Sequence, residues 1–116
     1  MPKVSLIIPC YNEEKNIKPL FDQVKKLQKK IDLEFIVVNN GSEDKTEKEI
    51  NIFKKKIKYI KVVKVKKNIG FGNGVKKGLQ KSTSDIICYT HGDLQVKMSN
   101  ILTAYKIYKS KKKKNI

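Results

Sequence analysis

At 116 residues the chain is long enough for one domain with one core and too short for two. An apolar fraction of 39% beside a charged fraction of 33% is a globular balance and excludes a disordered polar chain. The formal net charge is +16, yet all 27 basic residues are lysine, which argues against base readout and bidentate phosphate recognition of nucleic acid and points to solvated lysine faces.

Cys10 and Cys88 lie far apart, with no CxxC and a single histidine in the chain, so neither a zinc site nor a disulfide scaffold is expected. Reduced, buried thiols fit instead. The N-terminus shows no cleavable signal pattern, and no apolar run approaches the ~20 residues of a membrane span. The expected location is the cytoplasm.

The first predicted element is a buried strand over Lys3–Pro9. Pro9 cannot donate to a ladder and turns the chain outward there. Next, Tyr11 offers a flat face and Glu13 an acceptor; a helix start with acids near its positive end fits the same residues. Helical spacing over Glu14–Lys29 places Ile17, Leu20, Phe21, Val24 and Leu27 on one face, with Asn12 as a cap. A second strand over Leu33–Asn39 runs into Asn40-Gly41-Ser42-Glu43-Asp44-Lys45-Thr46. There Gly41 permits a sharp turn and Ser42 is placed to cap a helix over Asp44–Lys56.

The third strand, Tyr59–Val65, carries Lys61 and Lys64 between Lys58 and Lys66, the mark of an exposed edge. Asn68-Ile69-Gly70-Phe71-Gly72 then leads into a helix over Asn73–Gln80; a tight turn and a phosphate cradle both fit it. A fourth strand, Asp85–Thr90, is followed by His91-Gly92-Asp93-Leu94-Gln95. If that stretch is extended, positions 91, 93 and 95 share a side. Helical spacing from Met98 to Tyr108 precedes a lysine run, giving a domain over 1–110 and a Lys-rich tail over 111–116. The alternation predicts an α/β fold, a Rossmann-like, mainly parallel sheet with helices on both faces and ligands at the carboxyl ends of the strands.

Ile8-Pro9-Cys10-Tyr11-Asn12-Glu13-Glu14 and Val37-Val38-Asn39-Asn40-Gly41-Ser42-Glu43-Asp44-Lys45-Thr46 resemble the family 2 glycosyltransferases of GT-A fold, whose patterns run like IPxYNEE and VDDGSxDxT. Asn68–Gly72 is similar to that family's N-x-G-x-G segment, and His91–Gln95 stands where it carries a D-x-D metal motif followed by L-Q. The likeness covers roughly residues 3 to 95. It implies a nucleoside diphosphate sugar as ligand, with Pro9, Tyr11, Glu13, Val38, Asn40, His91 and Gly92 at the nucleotide. It further implies Mn²⁺ or Mg²⁺ on Asp93, Gln95 and His91.

Three residues depart from the pattern. Asn39 and Asn40 replace two carboxylates, so groups that only accept hydrogen bonds become amides that also donate. His91 replaces the first Asp of the metal motif, which tilts the preference toward Mn²⁺.

The resemblance implies inverting sugar transfer, with a general base from a second half of the enzyme. This chain is therefore expected to be the donor-binding half, incomplete for catalysis alone through truncation, a split enzyme or degeneracy, and no catalytic residue is assigned. The resemblance extends to polyprenyl-phosphate sugar transferases and implies a polyprenyl phosphate acceptor, with a peripheral place at the inner membrane face. The alternative is a non-catalytic nucleotide-binding or scaffolding subunit, with a second chain supplying the acceptor half. Nucleic acid is not an expected partner.

Overall fold

A computed structural model describes residues 2–93 and 98–114. Strands β1 (Val4–Cys10), β2 (Leu33–Asn40), β3 (Ile60–Val65) and β4 (Ile86–Tyr89) alternate with helices α1 (Ile17–Gln28), α2 (Thr46–Phe53) and α3 (Phe71–Leu79), and α4 (Met98–Lys114) follows β4. Every strand pair is parallel, in the spatial order β3-β2-β1-β4. The expected α/β architecture is present, with β boundaries within a residue of those read from hydropathy. Helix α4 extends to Lys114, into the lysine run expected to be a tail.

All of β1 and β2 is buried, because these central strands are covered on both faces. Side-chain alternation divides them between two layers. Val4, Leu6, Ile8 and Cys10 of β1 and Leu33, Phe35 and Val37 of β2 meet Ile17, Leu20 and Val24 of α1, Ile50 of α2 and Ile101 of α4 in the main core. Within it Phe21 stands edge-on to Phe35 at 5.2 Å between centroids. Ile7, Ile36 and Val38 point the other way. Helix α3 rests on them so closely that a Cβ on Gly78 would lie 2.4 Å from Ile7 Cγ2.

The two expected helix caps act elsewhere. Helix α1 begins at Ile17, and Asn12 Oδ1 instead accepts from the Glu43 amide at 2.8 Å. Ser42 Oγ accepts from the Asn12 amide at 3.1 Å and donates to the Cys10 carbonyl at 3.3 Å. Thr46 Oγ1 accepts from the Glu13 amide at 2.8 Å, and Asp44 Oδ2 from the Glu14 amide at 3.3 Å. Parallel neighbours bring the loops after β1 and β2 to the same end of the sheet, so these short side chains reach the adjacent loop and stitch the two together.

Strand β3 is an edge, as its lysines suggest, but Lys61 does more than face solvent. Its ammonium sits 3.2 Å from Glu34 Oε2, and Glu34 is buried. The opposite edge, β4, carries no lysine and exposes Ile87 and Tyr89 at 40% and 61%. Among the described residues no helix is long and apolar enough to cross a membrane.

Candidate functional site

After β1 the chain runs to β2 and β3 on one side, then returns to place β4 on the other side of β1. Loops leaving neighbouring strands in opposite directions open a crevice at such a switch point. A cleft of about 240 Å³ lies there. Its walls are Pro9, Tyr11 and Glu13 after β1, Asn40 at the end of β2, Asn68 and Phe71 around the start of α3, and His91, Gly92 and Asp93 after β4.

Two glycines let these loops close on one another. Gly41 has φ 73, and a Cβ there would fall 2.4 Å from the Asn68 amide nitrogen. Gly92 packs against the end of β1, where a Cβ would meet Cys10 Sγ at 2.7 Å and the Pro9 carbonyl oxygen at 3.3 Å.

Asn39 and Asn40 point to opposite faces of the sheet. Asn39 Oδ1 accepts from the Ser42 amide at 3.3 Å and supports the turn. Asn40 turns toward α3, where its Nδ2 donates to the Gly70 carbonyl at 3.2 Å and to Asn68 Oδ1 at 3.4 Å. Its Oδ1 is buried and has no partner among the described residues.

Beyond β4 the chain does not stay extended. The strand ends at Tyr89 and Gly92–Asp93 form a turn, so the period-two reading of positions 91, 93 and 95 fails for the part described. Gln95 lies outside the described residues. His91 is exposed and stacks on Phe71, with ring centroids 4.1 Å apart and planes 23° apart. Asp93 is half-buried in the same cleft. Among the described residues no three His, Cys, Asp or Glu side chains gather into a metal cluster of their own.

Of the nucleotide positions implied by the resemblance, Pro9, Tyr11, Glu13, Asn40, His91 and Gly92 are together in the cleft, and Val38 is not. Val38 shares the side of β2 that Asn40 uses but lies one residue pair deeper, under α3, and a Cβ on Gly78 would be 3.2 Å from its Cγ2. Asn68 and Phe71 line the cleft without having been singled out from sequence. The N-x-G-x-G segment is the sequence signal that marks this loop, and the contacts of Asn68 with Asn40 and of Phe71 with His91 bring the two side chains to the cleft.

The titratable groups nearby divide by environment. Burial, reinforced by Glu13, pushes the Cys10 thiol up to about 12, so it stays protonated and is neither nucleophile nor ligand at neutral pH. Burial works against ionisation of Asp44, but hydrogen bonds from the Thr46 side chain and backbone and from the Glu14 backbone outweigh it and hold the carboxyl below the usual range. Asp44 is thus an ionised fastener between loops. Both cysteines are free, Cys10 buried and Cys88 half-buried.

The model of glycosyl transferase family 2 matches residues 5–114. A dolichol-phosphate mannosyltransferase of Pyrococcus furiosus is 31% identical over 93 residues, covering 80% of this chain and 26% of the relative. Among solved structures, the mannosyltransferase PcManGT of Pyrobaculum calidifontis, in complex with GDP-Man and Mn²⁺, superposes with a TM-score of 0.69 at 23% identity over 79% of this chain and 28% of that one. S. aureus TarS 1–349 in complex with UDP-GlcNAc gives 0.67 at 26% identity over 78% of this chain and 26% of that one. The chain spans between 23% and 30% of the length of the first three curated relatives it matches.

Proposed function

The chain belongs to glycosyl transferase family 2, and from that premise we propose that its cleft binds a nucleoside diphosphate sugar, with a divalent metal, for inverting glycosyl transfer. The observation that carries this reading is the meeting of side chains from three separate strand ends and the start of α3 in one cleft at the switch point of the sheet. Structural neighbours in complex with GDP-Man and Mn²⁺ and with UDP-GlcNAc support it.

Each residue then has a role its surroundings permit. Tyr11, 42% exposed, offers a ring face to the base. Glu13 accepts from ribose hydroxyls through the oxygen left over once Oε2 has taken the Asn16 amide at 2.6 Å. The Pro9 carbonyl and Asn40 face the nucleoside, Val38 supports them from beneath α3, and Gly92 leaves room for the diphosphate. Asp93, His91 and Gln95 supply a carboxylate, an imidazole and an amide oxygen. That set suits Mn²⁺ or Mg²⁺, ions that complete their shells with substrate phosphates and water. Such a metal, when bound, offsets charge on the departing diphosphate.

The domain proper is proposed to occupy residues 1–110. A polyprenyl phosphate is the proposed acceptor, supported by the dolichol-phosphate mannosyltransferase relative, and the cytoplasmic face of a membrane is the proposed location. No described residue is assigned as the general base.

Calorimetric titration with UDP-, GDP- and TDP-sugars, with and without Mn²⁺, tests the reading on wild type and Asp93→Ala. Metal-dependent binding of at least one donor, lost in the variant, is the expected result. Failure of every nucleotide to bind under either condition rules the reading out.

A further inference from the structure

We infer that the lysine-lined cavity between the end of α1 and the entry to β3 is a second ligand site, one that binds a compact anion carrying several phosphate groups. It lies at the end of the sheet opposite the cleft, and it stands apart from the donor-binding reading.

The cavity, of about 370 Å³, takes Lys25 and Lys29 from the end of α1 and Lys55, Lys56 and Lys58 from the segment that leads into β3. None of the five is paired with a carboxylate among the described residues, where the ion pairs are Lys61 with Glu34 and Lys64 with Glu47. Glu47 shares a neighbouring hollow with Lys55, but Lys64 holds it at 3.0 Å. Lys56 lies 5.5 Å over the Phe53 ring, a contact that leaves its ammonium open to an anion. The negative end of the α1 dipole favours cations at Lys25 and Lys29. It does not account for the other three. Like charges around one hollow repel, and a bound anion turns that repulsion into attraction.

The segment that carries those three lysines is held in shape. Lys54–Lys56 form a 3-10 turn, which the Ile57 amide closes on the Lys54 carbonyl at 3.2 Å, and Ile57 itself is buried. Gln28, also buried, donates through Nε2 to the Leu33 carbonyl at 3.0 Å and to the Lys58 carbonyl at 2.6 Å, tying the end of α1 to β2 and to this segment. The next residue, Tyr59, has φ 52, rare for a bulky side chain, while its carbonyl accepts from the Phe35 amide at 3.0 Å. Such a backbone persists only where its surroundings impose it, and residues of this kind cluster at ligand-binding segments. Lysine ammonium groups act on phosphate as point charges and need no planar partner. A single phosphate does not reach five of them across a cavity of this size, whereas an oligophosphate does. Its sources are a soluble oligophosphate and the headgroup of a phosphorylated lipid.

The test is calorimetric titration with tripolyphosphate, without divalent metal, in roughly 0.15 M salt, where the screening length of about 8 Å silences lysines remote from the cavity. Wild type is expected to bind. Lys55→Gln/Lys56→Gln/Lys58→Gln should weaken binding by about tenfold or more, through the loss of three charge contacts. A control with the same loss of charge, Lys66→Gln/Lys76→Gln/Lys77→Gln, lies beyond β3 and on α3 and should stay within about twofold of wild type. Sedimentation with phosphatidylcholine vesicles, with and without phosphatidylinositol bisphosphate, separates the sources. Wild type that sediments only with the phosphorylated vesicles, in a manner lost in the Lys55, Lys56 and Lys58 variant, assigns the anion to a lipid headgroup; tripolyphosphate binding without sedimentation assigns it to a soluble oligophosphate. The inference is overturned if tripolyphosphate does not bind wild type, or if the two triple variants lose affinity equally, which would make the attraction a property of net charge. Neither result touches nucleotide binding at the cleft.

Discussion

Phe71 lies face to face with His91 at 4.1 Å between ring centroids, joining the first turn of α3 to the segment after β4. The stack gives an exposed imidazole a preferred position beside Asp93, in a turn that has no strand ladder to hold it. Aromatic pairs of this kind contribute roughly 0.5–1.5 kcal/mol beyond area burial. Phe71→Ala is therefore expected to weaken Mn²⁺-dependent nucleotide binding by about threefold to tenfold while leaving metal-free binding nearly unchanged. Phe71→Tyr should restore it. Titrations of both variants with and without Mn²⁺ check this, and an equal loss in the two conditions would place Phe71 at the nucleotide instead of the histidine.

Glu34 is the polar anchor at the other end of the sheet. Its carboxylate accepts from Ser5 Oγ at 2.5 Å and from the Thr83 amide and hydroxyl at 2.8 Å and 3.1 Å, and it pairs with Lys61. Glu34→Ala leaves those donors without an acceptor and should cost about 2–4 kcal/mol in urea denaturation.

The same residue gives a pH signature. Burial opposes ionisation of Glu34, but the hydrogen bonds from Ser5, Thr83 and Lys61 outweigh it and lower the carboxyl below its ordinary 4.5. A lowered folded-state value means that the unfolded chain takes up the proton first as pH falls. The contribution is complete above pH 4.5, shrinks below it and is gone once pH passes the lowered value. Glu34→Gln should flatten that part of the acid-stability curve, and an unchanged slope would show that other carboxylates set it.

Gly78 and Gly72 both lie in α3 and should respond oppositely to alanine. A Cβ at Gly78 meets Ile7 Cγ2 at 2.4 Å and Val38 Cγ2 at 3.2 Å, whereas nothing lies within 4 Å of one at Gly72. Gly78→Ala is expected to destabilise by about 1–3 kcal/mol through overpacking. Gly72→Ala should be neutral or stabilising by up to about 1 kcal/mol, from helix propensity. Thermal melts of the two variants separate them.

Legibility from sequence followed the range of each interaction. The strands were readable because β1 and β2 are buried on both faces and so appear as unbroken apolar runs, and α1 because Ile17, Leu20, Phe21, Val24 and Leu27 recur at helical spacing. The cleft was readable as strand-end segments, since parallel strands bring those ends together. What failed depended on contacts between loops. Asn12 and Ser42 have the chemistry of caps, but partners some thirty residues away in sequence take their hydrogen bonds. Val38 shares Asn40's side of β2 but lies one residue pair deeper, where α3 covers it, and that depth is not written in the motif. Lys61 read as an edge guard because its partner Glu34 sits in another strand. Asn68 and Phe71 were passed over because their roles arise only when the loop after β3 folds against Asn40 and His91.

The most direct test of the central claim, that this cleft holds a nucleoside diphosphate together with a divalent metal, is paramagnetic line broadening by Mn²⁺. Amide proton–nitrogen correlation spectra would be recorded with and without UDP or GDP. The expected result is broadening that requires the nucleotide, is centred on His91–Asp93 and extends to Tyr11 and Phe71. Broadening that ignores the nucleotide, or that centres on the surface acids Glu47 and Glu49 of α2, would contradict it.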